Sequence, residues 1–182
     1  MSIRIPGGHL LNTNNLEKAG LPALFAGMMN QDTKNYSAEE MSRELQKLGS
    51  SISVFDGTED ITFQVQTQVK NLDATLKLLE ERMFRPKFNQ DDLARLVKQQ
   101  LEAFKMAKTE PSSIADEVFD KINYGDKHIL GVSTDGTEET LKSFTLADVQ
   151  SYYDNYMTSQ KCACSSCRRH QRRRGYYLNS HS

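Results

Sequence analysis

The clearest pattern in the chain is an alternation of apolar and polar residues between positions 61 and 69. Ile61, Phe63, Val65, Thr67 and Val69 alternate with Thr62, Gln64, Gln66 and Gln68. This period of two predicts a β-strand with one face in a core and the other in water. A polar glutamine face would also suit pairing with an extended peptide. Any half-exposed antiparallel strand shows the same pattern, and we favour this simpler interpretation.

Shorter patterns predict two more strands, at Ser2–Ile5 and at Ile52–Phe55. Asp56 and Gly57 follow the second of these and predict a hairpin turn into the glutamine-rich strand. The acidic residues between positions 56 and 60 lack the spacing of an EF-hand, so a charged turn is the interpretation we adopt.

Between and after these strands, apolar residues recur at helical spacing and predict a series of amphipathic helices. The predicted inward positions are Leu21, Leu24, Phe25 and Met28; Met41, Leu45 and Leu48; Leu72, Leu76, Leu79 and Met83; Leu93, Leu96, Val97, Leu101 and Phe104; Ile114, Val118 and Ile122; and Leu146, Val149, Tyr153 and Tyr156. Helix starts are predicted by capping boxes at Ser37 and Thr145, by Asn71 and Asn89, and by a first-turn proline at Pro111.

Length and composition are those of one globular domain. The chain has 182 residues, of which 37% are hydrophobic, and no apolar run approaches the roughly 20 residues that cross a bilayer. The first residues lack a secretory apolar region and enter a strand at once, which is what we expect of a piece of a longer polypeptide. Compartment is therefore left open: a parent protein in the bacterial periplasm, the cytoplasm or the mitochondrion is compatible with this sequence.

The net charge of −1 hides an uneven distribution. Residues 161–182 carry a charge of +6 and all three cysteines, and the remaining chain carries −7. Cys162, Cys164 and Cys167 with His170 could hold zinc, but the spacing is not that of an established finger. The arginines could bind nucleic acid, which would make binding strongly dependent on salt. A basic end without a partner is the simpler interpretation, and we expect no nucleic-acid partner and no membrane contact.

Isolated histidines offer little chemistry. His9 and His128 each stand on a predicted loop without a second ligand nearby in the sequence. For His9 we expect a solvated side chain, and for His128 a surface or loop-packing role.

The first helix carries a degenerate motif. Positions 20 to 28 read Gly-Leu-Pro-Ala-Leu-Phe-Ala-Gly-Met. This frame resembles G-L-x-H-L-x-E-H-M, the inverted zinc motif of the insulinase/pitrilysin-type metalloproteases, which include the mitochondrial processing peptidase. The resemblance places the two histidine ligands at Ala23 and Gly27 and the catalytic glutamate at Ala26.

The resemblance also implies a third zinc ligand, a glutamate on a later helix, which aligns with Ala103, seventy-six residues after Gly27. Glu102 is one position away and would point about 100° around the helix, so it does not take this role. Alanine and glycine side chains offer a metal no lone pair and take no proton. We therefore predict no catalytic residue, metal site or cofactor in this chain, with zinc bound in a catalytic partner domain.

Further segments match the same family in order as far as Tyr156, and the most recognisable is Gly-Thr-Glu-Glu-Thr-Leu at positions 136–141. The resemblance implies an α+β fold in two layers, with helices on one face of a mixed, mostly antiparallel sheet whose C-terminal part is truncated. It divides the chain into an inactive peptidase-like domain, 1–160, and a basic tail, 161–182.

The tail departs from the family, which continues with a buried strand of the type V-V-V-G-D-I. Permitted codons for Cys167–Gly175, read one nucleotide later, spell Val-Gly-Asp-Ile-Ser-Asp-Asp-Glu, followed by the start of a valine codon. We therefore hypothesise a frameshift from about Lys161 onward. Sequencing the encoding DNA against the source genome tests this hypothesis.

By resemblance, the function is that of a catalytically silent domain of a zinc metalloprotease assembly. Such a domain faces an active one as in a clamshell, closes the chamber and helps to hold the peptide substrate. The expected partner is a peptidase domain with an intact zinc motif, and the truncated sheet edge makes self-association a further possibility. The alternative is a structural subunit like the core proteins of respiratory complexes, without proteolysis.

Overall fold

A four-stranded antiparallel sheet forms one layer of the computed structural model. The structure describes residues 1–12, 16–125, 127–157, 163–165, 167–168 and 171–172. The strands are β1 (Ser2–Pro6), β2 (Ser51–Asp56), β3 (Asp60–Gln66) and β4 (Ala163–Ser165), in the order β2-β3-β1-β4. A short separate hairpin pairs β5 (Cys167–Arg168) with β6 (Gln171–Arg172).

The second layer consists of helices. The α-helices are α1 (Leu21–Met29), α2 (Ala38–Lys47), α3 (Leu72–Phe84), α4 (Gln90–Ala107), α5 (Pro111–Tyr124), α6 (Glu138–Ser143) and α7 (Leu146–Tyr156). Short 3₁₀ turns lie at His9–Asn12, Leu16–Lys18, Val69–Asn71 and Ile129–Gly131. None of the helices in the described part of the chain is long and apolar enough to span a membrane.

One face of the sheet is buried beneath the helices. Alternate residues of β1, β2 and β3 belong to a single core cluster: Ile3, Ile5, Ile52, Val54, Ile61, Phe63 and Val65. The residues between them, such as Arg4 and Phe55, are exposed on the other face. The period-two pattern therefore places one apolar face against the helices and leaves a mostly polar face, with Phe55 as an apolar exception, toward water. The prediction of a two-layer α+β fold is confirmed.

Several helix starts are as predicted. Ser37 and Thr145 each accept a hydrogen bond from a backbone N–H and complete a capping box, and Asn89 caps α4 through Asp92 N–H. The prediction that the Asn71 side chain caps α3 is wrong. This side chain instead donates to the Leu48 carbonyl oxygen, 2.8 Å away, and so joins the start of α3 to the end of α2.

The prediction for α5 is wrong in its orientation. Pro111 begins the helix, but Ile114, Val118 and Ile122 are 45%, 48% and 79% exposed and no residue of α5 is buried. Helical spacing determines which residues share a face, and it does not supply an element to cover that face. The glutamine-rich strand is also shorter than predicted, since Val69 lies in a 3₁₀ turn and is exposed.

Candidate functional site

Helix α1 begins where the backbone turns sharply beside another loop. Gly20 has φ of +90°, and a Cβ at this position would lie 2.5 Å from the Asp135 carbonyl oxygen. Only glycine fits both the left-handed conformation and this close approach. Pro22 then occupies the first helical turn, where its missing N–H costs nothing.

The three motif positions on α1 differ in their exposure. Ala26 is buried, whereas Ala23 and Gly27 are partly exposed. A Cβ at Gly27 would lie 3.4 Å from Leu96 Cδ1, so a longer side chain here would meet the Leu96 side chain of α4. The Leu96 side chain therefore packs against position 27, to which the motif assigns a histidine.

The fourth position, Ala103, lies on α4. Gly27 contacts Leu96 near one end of α1, and Gly20, at the other end, approaches Asp135, which accepts a hydrogen bond from Gln100. The two helices are therefore antiparallel, and Ala103 comes one turn beyond Gln100, toward the start of α1. Ala103 is exposed.

Ala103 lines an open cleft of about 610 Å³ between α4, α5 and the loop that follows α5. The acidic residues of this cleft are Asp116, Glu117, Asp120 and Asp135, and Lys108 lies among them. The cleft contains Ala103 and not the three motif positions of α1, so it coincides with only part of the predicted site.

His9 also lines this cleft, and the prediction that it is solvated is wrong. Its side chain is only 2% exposed, and Nε2 lies 2.8 Å from the carbonyl oxygen of Ile129. A carbonyl oxygen only accepts, so Nε2 carries the proton, and Nδ1 has no hydrogen-bond partner among the described residues. Burial, with help from Asp135, raises the pKa of the nearby Asp56 carboxyl, and His9 opposes this change.

The other histidine is a loop residue, as predicted. His128 is exposed, stacks on Tyr124 with ring centroids 6.0 Å apart, and accepts a hydrogen bond from the Leu130 N–H at Nδ1. Its contacts hold the loop that follows α5.

Two buried charged residues on α3 were not identified from the sequence. Glu81 is 3% exposed and accepts hydrogen bonds from Asn35 and Arg85. Arg82 is 5% exposed, and this burial lowers the pKa of its guanidinium group. Arg82 follows Leu79 by three positions on the apolar stripe, and a charge at a stripe position is the signal that could have identified it.

The residues present do not fit a zinc ion. No group of three or more His, Cys, Asp or Glu side chains is placed to hold a metal within the parts of the chain that the structure describes. Zinc in proteins is bound by imidazole, thiolate or carboxylate donors, and Ala23, Gly27 and Ala103 supply none of them.

Comparison with known proteins identifies the family. The model of the insulinase family, peptidase family M16, matches residues 1–131. The chain therefore belongs to this family, and the resemblance inferred from the degenerate motif is confirmed.

Two curated relatives carry contrasting names. An uncharacterized zinc protease, YmxG, from Bacillus subtilis is 25% identical over 80% of this chain and 36% of its own length. A non-peptidase homolog, YmxG, from Helicobacter pylori is 24% identical over 81% of this chain and 33% of its own length. The chain thus spans about a third of the length of these relatives.

Solved structures show the same fold. A peptidase M16 inactive domain from Pseudomonas fluorescens superposes with a TM-score of 0.79 at 21% identity, covering 88% of this chain and 39% of that one. A protease from Helicobacter pylori gives a TM-score of 0.77 at 18% identity, covering 88% and 38%.

Proposed function

We propose that this chain is a non-catalytic domain of an insulinase-family metalloprotease assembly. In this role it closes a chamber against a domain that carries an intact zinc motif, and it helps to hold the peptide substrate. The zinc belongs to that partner domain. The observation that carries the proposal is the absence of donor atoms at Ala23, Ala26, Gly27 and Ala103 on an otherwise recognisable family frame.

The local packing supports the non-catalytic assignment. Leu96 lies against Gly27, so the side of α1 that would bind a metal is packed against an aliphatic side chain. The names of two similar proteins, a non-peptidase homolog and a peptidase M16 inactive domain, agree with this assignment. The division into a domain at 1–160 and a tail at 161–182 is part of the same proposal.

The first experiment measures metal and activity together. We expect the purified chain, dialysed against Zn²⁺, to hold far less than one equivalent of zinc and to cleave no fluorogenic peptide in a chelator-sensitive way. Because residues 162–170 contain cysteines and a histidine, the same measurement is made on a variant with Cys162, Cys164 and Cys167 changed to Ser. Stoichiometric zinc in that variant, with chelator-sensitive cleavage, would overturn the proposal.

A second experiment tests the role in a chamber. The partner to be tested is a family subunit or domain with an intact H-x-x-E-H motif, sought in a neighbouring gene or in a sister domain. We expect the mixture to form a stable complex by sedimentation and to cleave peptides faster than the partner alone. A complex without any peptide cleavage would instead support the alternative role of a structural subunit.

A further inference from the structure

Strand β2 lies at one edge of the described sheet. It pairs with β3 on one side, with Val54 opposite Phe63, and no strand pairs with its other side within the part of the chain that the structure describes. Edge strands present outward N–H and C=O groups, and these groups are a template for an added strand from a peptide or a second molecule.

The outward groups of Val54 are already bonded to a side chain. The carboxamide of Asn30, the residue after α1, accepts from the Val54 N–H at 3.1 Å and donates to the Val54 carbonyl oxygen at 2.9 Å. An added antiparallel strand would make this same pair of hydrogen bonds with one of its residues. The Asn30 side chain thus takes the place of a strand neighbour.

Arg82 bonds the next outward group along the strand. Its Nη1 donates to the Ile52 carbonyl oxygen at 2.8 Å and to Asn30 Oδ1 at 3.1 Å. The Asn30 side chain also donates to the Ala26 carbonyl oxygen at 2.9 Å, which ties it to α1. The two side chains therefore support each other from two different helices.

This arrangement buries a charge without an opposite partner. No carboxylate lies within ion-pair distance of Arg82 in the described residues, and its buried Nε has no hydrogen-bond partner there. An unpaired buried guanidinium is costly, and an apolar residue at this stripe position would avoid the cost. The cost is compatible with a role that an apolar residue could not fill, which is bonding to backbone groups.

We propose that Asn30 and Arg82 form a plug that closes the β2 edge and prevents the addition of a strand there. The occupant that the plug excludes is an extended peptide. The plug belongs to this chain's own sheet and would be present with or without a catalytic partner domain. The glutamine-rich strand, for which the sequence left peptide pairing open as an alternative, is β3, and it pairs with β2 and β1 on its two sides rather than at an edge. At Ile52 and Val54 of β2 the outward backbone groups are bonded to side chains.

The test compares peptide binding to the full chain and to a variant with an open edge. The probe is a fluorescein-labelled peptide with the sequence of β3, DITFQVQ. In the folded chain β3 pairs with the inner side of β2, so this sequence is able to pair with β2 backbone groups. We expect no detectable binding to the natural chain, and for the Asn30→Ala variant a dissociation constant at least about tenfold below the highest protein concentration tested, since two edge groups are released. Amide exchange of Val54 should accelerate in this variant and slow again when peptide is added.

A control is Asn35→Ala, which removes an exposed asparagine that hydrogen-bonds to Glu81, the neighbour of Arg82 on α3, and leaves β2 untouched. This control should bind no peptide. If Asn30→Ala does not fold, Arg82→Met is the second variant. It keeps both hydrogen bonds between Asn30 and Val54 and releases the Ile52 carbonyl oxygen. The labelled peptide should then bind this variant detectably, unlike the natural chain. Peptide binding to the natural chain with altered exchange at Val54 would overturn the proposal, as would a folded open-edge variant that binds no peptide.

Discussion

Asp148 joins two parts of the molecule that are distant in sequence. Its carboxylate pairs with Lys18, from the turn before α1, and also accepts hydrogen bonds from the Thr145 side chain and backbone at the start of α7. The hydrogen bond from Lys18 is the main cause that lowers the pKa of Asp148 to about 2, from an ordinary 3.8. This carboxylate therefore favours the folded state whenever it is ionised.

The consequence for pH follows from the sign of that change. Because the folded pKa lies below the unfolded one, the stabilisation is complete above about pH 4 and is lost as the pH falls toward 2. We expect Asp148→Asn to lower the free energy of unfolding at pH 7 by about 1–2 kcal/mol, discounted because Lys18 is partly exposed. Urea denaturation from pH 7 to pH 2 measures this.

The difference between the natural chain and this variant should shrink toward zero at the acid end. Glu138→Gln is a suitable control, since Glu138 pairs with Lys142 on the exposed surface and should matter little. An Asp148→Asn effect of the same size at pH 7 and at pH 2 would contradict the assignment.

Gly20 is the second residue whose substitution has a clear expected effect. Ala at this position combines φ of +90° with a Cβ 2.5 Å from the backbone of Asp135, so α1 or the loop must move. We expect Gly20→Ala to cost about 2 kcal/mol or more in unfolding free energy. Gly49→Ala is the control: φ is +57° and the nearest atom is 3.7 Å away, so only the conformational cost of about 1 kcal/mol remains. Equal losses in thermal denaturation would show that the close approach to Asp135 does not matter.

At the level of elements, α4 and α5 differ in how they meet the core. Leu93 at the start of α4 is 2% exposed, whereas Ile122 near the end of α5 is 79% exposed. We expect Leu93→Ala to lower the unfolding free energy by about 2–4 kcal/mol and Ile122→Gln to change it by no more than about 0.5 kcal/mol. Comparable losses in urea denaturation would mean that α5 packs inward after all.

Features that depend on neighbouring residues could be predicted from the sequence, whereas long-range contacts could not. The capping boxes at Ser37 and Thr145 and the alternation in β3 are local signals, because each depends on residues within a few positions of one another. The burial of His9 depends on the Ile129 carbonyl, 120 residues away, and no local pattern contains that contact. The same is true of Arg82 at the β2 edge, which bonds a backbone group 30 residues away.

The candidate site also has one part that the sequence predicts and one part that only the fold shows. The motif on α1 was recognisable because the glycine, leucine and methionine of its frame remain at Gly20, Leu21 and Met28. That Leu96 fills the space before Gly27 follows from the antiparallel packing of α1 and α4, which spacing within one helix cannot give.

For the whole molecule, the decisive question is whether four positions on two helices once formed one metal site. The family motif aligns two metal ligands with Ala23 and Gly27 and a base with Ala26 on α1, and the third ligand with Ala103 on α4. A variant that restores the donors, with Ala23→His, Ala26→Glu, Gly27→His and Ala103→Glu, should bind Zn²⁺ because it supplies two imidazoles and a carboxylate. Leu96→Ala is added in this variant to make room before position 27.

The matched control keeps Ala103 and relies on the natural Glu102 one position earlier. If Ala103 is the third-ligand position, Glu102 points about 100° away and cannot complete the site, so the control should bind Zn²⁺ at least about tenfold more weakly. Isothermal titration on a background lacking the three cysteines measures both affinities. Equal affinities would contradict the placement of the third ligand at position 103. A carboxylate reaches a metal bound by α1 only from the face of α4 that meets α1, so the alignment of α4 with the family's ligand helix would then have to be reassigned.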